Sequence, residues 1–96
     1  MALFVVKHEH SADVCPAQDP RTAPMLLAQL SAENAAKYDV TIHGEAVVDG
    51  GHTLYLILNA PDIKQVEGFM SMFAQVGSVE VLPSNSCEFV VARLGC

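Results

Sequence analysis

The run Val5-Val6-Lys7-His8-Glu9-His10-Ser11-Ala12-Asp13-Val14-Cys15-Pro16 sets two imidazoles and a thiol close together at the end of an apolar stretch. Imidazole nitrogen and thiolate sulfur are ligands for borderline and soft cations. Such a set suits Zn, Cu, Fe or Ni and argues against Mg or Ca. If the segment is extended, His8 and His10 point to the same side with Cα atoms about 6–7 Å apart, and both rings can reach one ion. With four histidines in 96 residues, chance supplies a His-x-His spacing in roughly one chain in eight, so the spacing alone is moderate evidence. Cys15 strengthens it, because a short loop followed by Pro16 can hold the thiol over the strand end and complete a His2Cys set. The plain alternatives are a solvated strand end with incidental histidines and a cysteine acting as a small buried apolar residue.

His43 and Glu45 stand two apart on a second extended segment and could bring an imidazole and a carboxylate to the same site, as ligands or as their hydrogen-bond partners. His43, Glu45 and Tyr55 are also the candidates for acid-base chemistry on a small molecule in an enclosed cavity. A core tyrosine with its hydroxyl satisfied and an edge-strand polar face are the structural counterparts. His52, within Asp49-Gly50-Gly51-His52, reads as a solvent-facing turn residue. Cys87 and Cys96 open and close the last segment. Met70 and Met72 with Phe69 and Phe73 read as core.

The elements that must position these groups follow from periodicity. Leu3 to Glu9 reads as a strand with Phe4, Val6, His8 and His10 on one face and Leu3, Val5, Lys7 and Glu9 on the other. Ser11 to Arg21, with two prolines and no apolar period, reads as a structured loop. Thr22 and Pro24 start a helix through Met25, Leu26, Leu27 and Leu30. Ser31 looks like a second cap, so this helical region should break there. Val40 to Val48 and Thr53 to Asn59 read as strands joined by the Gly50-Gly51 hairpin turn, the second apolar enough to be covered on both faces. Pro61 begins a helix with Ile63, Val66, Phe69, Met70, Phe73 and Val76 at three- and four-residue steps, stopped by Gly77. Ser78 to Leu82 is a fourth strand, and Cys87 to Arg93 reads as a fifth.

The order β-α-β-β-α-β with one added strand makes residues 1–96 a single α+β domain of the split βαβ or ferredoxin-like arrangement. The apolar first strand, the Val48 to His52 turn, the Leu54 to Leu58 run, the Asn59-Ala60-Pro61-Asp62 helix start and Val79-Glu80-Val81-Leu82-Pro83 together resemble the dimeric α+β-barrel superfamily. There two ferredoxin-like sheets face each other around a cavity. The resemblance implies a homodimer with Phe4, Val6, His8 and His10 facing the barrel interior, and it covers small metal-binding and monooxygenase-like families alike. Fold likeness does not choose among their chemistries.

Bulk composition narrows the classes. A chain of this length buries only about two-thirds of its unfolded surface. With 51% hydrophobic and 17% charged residues, some apolar surface should be covered by self-association. A net charge of −6 with only five Lys and Arg makes nucleic acid and anionic membranes poor partners. The opening apolar run lacks a basic flank and is too short for a signal h-region or a membrane span, so a cytoplasmic protein is expected, with its three cysteines as thiols. An exported, disulfide-bonded form is the lesser alternative. No phosphate loop, nucleophile elbow, Cys-x-x-Cys or His-Glu-x-x-His occurs. The leading expectation is a small transition-metal-binding protein that uses His8, His10 and Cys15, with His43 as a further ligand, at the mouth of a dimeric barrel. It would serve metal handling or a metal-dependent reaction. A cofactor-independent monooxygenase or isomerase acting on an apolar small molecule is the second reading, and a non-catalytic ligand-binding or stress-response module the third.

Overall fold

In the computed structural model, which describes all 96 residues, four strands form one antiparallel sheet. They are β1 (Ala2–His10), β2 (Thr41–Val47), β3 (Thr53–Ala60) and β4 (Gly77–Ser84), in the order β2-β3-β1-β4. Alternation dictates which face is covered. Phe4, Val6 and His8 of β1 and Leu54, Leu56 and Leu58 of β3 are buried, while Tyr55 and Ile57 between them are exposed. The buried face is closed by helices α1 (Ala23–Gln29), α2 (Ala32–Ala36), α3 (Ile63–Phe69) and α4 (Ser71–Ala74). Ala35, Val66, Phe69, Met70 and Phe73 complete the core from that layer, with Leu26 and Leu30 packed against it. No helix is long and apolar enough to cross a membrane.

The parity predicted for β1 holds, but the covering layer differs. Phe4, Val6 and His8 face the helices of their own chain and not the interior of a barrel formed with a second sheet. The reason lies in the two faces' chemistry. The opposite face carries Lys7, Glu9 and Glu80, with Lys7 Nζ 2.8 Å from Glu9 Oε1. The apolar stripe of α3 and α4 therefore gains most by burying against the Phe4-Val6 side. For the same reason β3 is covered on one face only.

Local signals set the helix boundaries. Ser31 caps α2 through an Asn34 N–H bond to its Oγ at 3.2 Å, and Asp62 caps α3 by accepting from Lys64 N–H. The long helix expected from Ile63 to Val76 is two pieces, interrupted at Met70. The fifth strand expected over Cys87 to Arg93 is instead helix α5 (Cys87–Ala92). Ser86 caps it by accepting from Phe89 N–H at 3.2 Å, Glu88 lies in its first turn, and Leu94 ends it at φ 61°. Adjacent Val90 and Val91 mimic a strand, but the cap outweighs that modest preference.

Gly77 opens β4 and does more than stop a helix. A Cβ there would lie 2.0 Å from the carbonyl oxygen of Glu9 and 3.0 Å from the Cα of His10. Only glycine lets the first residue of β4 close against the end of β1, and that contact fixes where His10 sits.

Candidate metal centre

His8 is the one polar side chain in the core, 2% exposed, with its ring edge-on to Phe73 at a centroid distance of 5.1 Å. Its Nδ1 lies 2.9 Å from the carbonyl oxygen of Ser78, and its Nε2 lies 3.1 Å from Nδ1 of His10. The proton positions follow from the partners. A carbonyl only accepts, so His8 Nδ1 carries the hydrogen. Burial, reinforced by the neighbouring His10 and opposed by the Ser78 carbonyl, pushes the His8 pKa below 6.5, so the ring is neutral at pH 7 and its Nε2 presents a lone pair. His10 Nδ1–H donates to that lone pair.

This chain of donors leaves His10 Nε2 without a proton. The atom is buried and has no hydrogen-bond partner. The His10 pKa is likewise lowered, first by burial and then by the charge His52 would carry. A buried orphan lone pair costs roughly 1–3 kcal/mol unless something binds it.

What lies beside that ring is Cys15 and His52. One ligand atom each of His10, Cys15 and His52 lie within 4.8 Å of one another, and the His10 and His52 ring centroids are 5.3 Å apart. A tetrahedral ion, with bonds of about 2.0–2.1 Å to nitrogen and about 2.3 Å to sulfur, would hold these atoms about 3.3–3.6 Å apart. The residues therefore fit an ion after each pair closes by at most about 1.5 Å, which side-chain rotation supplies.

Backbone geometry brings the three together. The β1–β3 ladder pairs His8 with Leu54 and Glu9 with Thr53. One further step puts His10 opposite His52, where the His10 N–H donates to the His52 carbonyl at 3.1 Å. The tight turn before it, with Gly50 at φ 71°, carries the chain round from β2. Cys15 sits between two short 3-10 turns, Ala12–Val14 and Pro16–Gln18. Thr22 holds the N-cap position of α1 as expected, but its hydroxyl donates to the Pro16 carbonyl at 2.6 Å and not to the helix, tying this loop to the start of α1.

The sequence candidates therefore divide. His10 and Cys15 converge. His8 adjoins them, but both its nitrogens are taken, so it orients His10 rather than offering a lone pair. His43 is elsewhere: Ile42 packs against the core, so alternation puts His43 on the open face of the sheet, where its Nε2–H donates to Asn59 Oδ1. A register shift between Ile42 and Gly44 then puts Glu45 opposite Leu56 on the covered face, and Glu45 lines the cavity beside His10, Cys15 and His52. Tyr55 is on the open face, paired with Ala46 across the strands. The proposed acid-base trio of His43, Glu45 and Tyr55 is thus split across the sheet. His52 is not a free turn residue, and the signal that finds it is the hairpin register continued one step past the last apolar pair.

Comparison with known proteins adds no relative: no family model, curated protein or solved structure matches the chain.

Proposed function

We propose that this chain is a ferredoxin-like, transition-metal-binding protein that holds one ion through His10 Nε2, Cys15 Sγ and His52, with His8 fixing the tautomer and tilt of His10. The observation carrying this reading is the buried and unpartnered Nε2 of His10 beside a thiol and a second imidazole. A metal-ligating histidine ordinarily donates its other nitrogen's hydrogen to a fixed acceptor, and the His10–His8–Ser78 chain is such an arrangement. The strand order supports the ferredoxin-like reading. The ion would be Zn, Cu, Fe or Ni, and its role metal handling or a metal-dependent reaction.

The test is metal content and competition titration on purified protein and variants. One ion per chain is expected, lost in His10→Ala, Cys15→Ser and His52→Ala and kept in His43→Ala. Substoichiometric metal unaffected by the first three changes overturns the proposal.

The same reading includes a homodimer through the open face of the sheet, where Tyr55, Ile57 and Leu82 are 38%, 47% and 42% exposed. A second copy would cover these apolar side chains, with the Lys7, Glu9 and Glu80 charges beside them at the rim.

A further inference from the structure

Three protein ligands leave a tetrahedral ion one position short, and no fourth His, Cys, Asp or Glu joins the group of His10, Cys15 and His52. The three line a cavity of about 190 Å³ whose inner walls include Leu26, Leu30, Leu54 and Phe73, with the exposed Leu27 and Val47 at its open rim. Glu45 is the only formally charged side chain on that wall apart from the ligand group, and it is exposed. A site open at one position is the arrangement that admits an exogenous ligand, in contrast to a closed structural site.

We infer that the fourth position of the bound ion takes a small monoanionic ligand with an apolar body, whose head binds the metal and whose body lies in this cavity. The inference rests on the metal reading above. Charge selects the head. A divalent ion with one thiolate and two neutral imidazoles is left at +1, and in an apolar cavity a monoanion such as a carboxylate, thiolate or hydroxide brings the centre to neutrality at least cost. Shape selects the body. The cavity is far larger than the ~30 Å³ share of one water in the liquid, and leucine, valine and phenylalanine give water few partners there. Straight hydrocarbon satisfies such walls better than solvent does.

The experiment uses the full chain loaded with Co(II), whose visible spectrum reports a thiolate bond and changes when a fourth ligand arrives. Titration with the carboxylates from acetate to hexanoate should alter that spectrum, with affinity rising about fourfold for each added methylene. Leu30→Phe, which narrows the cavity, should flatten the series while leaving the cobalt-thiolate band in place. Glu45→Gln should leave the starting spectrum unchanged. If the cobalt-thiolate band forms but carboxylate affinity is the same at every chain length, the cavity inference fails and the metal reading stands. If Glu45→Gln shifts the starting cobalt spectrum before any carboxylate is added, Glu45 occupies the fourth position and the inference fails. If no stoichiometric cobalt-thiolate band forms, both fail.

Discussion

At the scale of single residues, two adjacent histidines hold different jobs because their surroundings decide which nitrogen keeps a proton. His8 is committed at both ends, to Ser78 and to His10, whereas His10 has one nitrogen left over. Replacing His8 with Phe should therefore leave the three ligands in place but free His10 to rotate. Metal affinity by chelator competition is expected to fall about 10–100-fold, the usual cost of losing an orienting partner. A direct ligand would instead abolish binding, as in Cys15→Ser. Protonation gives a second expectation, for the metal-free protein. The folded-state pKa values of His8 and His10 lie below 6.5, so from about pH 6.5 downward the unfolded chain takes up protons that the folded chain refuses. Stability contributed by these neutral rings is complete above pH 6.5 and is lost as pH falls towards the depressed folded values, with a slope of at most about 1.4 kcal/mol per pH unit for each proton withheld. Denaturant melts from pH 8 to pH 5 should show a plateau and then a decline, and the decline should be shallower in His8→Phe. A decline unchanged by that substitution would assign it to other groups.

At the scale of elements, the site depends on how strand ends meet. Gly77→Ala would force the start of β4 away from Glu9 and His10, since the new Cβ would overlap the Glu9 carbonyl. A loss of about 1–3 kcal/mol is expected from overpacking, together with weaker metal binding, because His10 moves with the strand end. Ser31→Ala removes the cap of α2, remote from the ligands. It should cost about 0.5–2 kcal/mol in chemical denaturation and leave metal affinity unchanged. These elements were unequally legible in the sequence. The break at Ser31 and the Asp62 helix start follow from caps, and the strands β1 and β3 from their alternation. Helix α5 was hidden because Val90 and Val91 favour a strand while Ser86 favours a cap, and only the folded chain shows which prevails. His43 and Glu45 looked like face-mates because period-two reasoning assumes an unbroken ladder. The irregularity between Ile42 and Gly44 leaves no mark in residue types.

At the scale of the whole molecule, a one-sided sheet leaves two questions that alternation alone could not answer. Periodicity separated Phe4, Val6 and His8 from Leu3, Val5 and Lys7 correctly, but it does not say which set meets helices and which meets another copy. The balance of apolar helix stripe against the Lys7, Glu9 and Glu80 charges decides it. In the proposed dimer the open face is the association surface, so light scattering at micromolar concentration should give twice the chain mass, and Ile57→Glu should return it to the monomer mass. A monomer in the unaltered protein would remove the dimer from the proposal without touching the proposed metal site, whose residues lie on the helix side. His52 shows the same division of labour between sequence and fold. Its type was visible, but its place opposite His10 required the register of the whole hairpin against β1. The proposed site comes down to one coordination sphere, which X-ray absorption at the metal edge of the zinc-loaded protein reads out. One sulfur at about 2.3 Å and two imidazole nitrogens at about 2.0–2.1 Å, with a single lighter ligand beside them, are predicted. A shell of nitrogen and oxygen without sulfur, or a spectrum unchanged in Cys15→Ser, would contradict it.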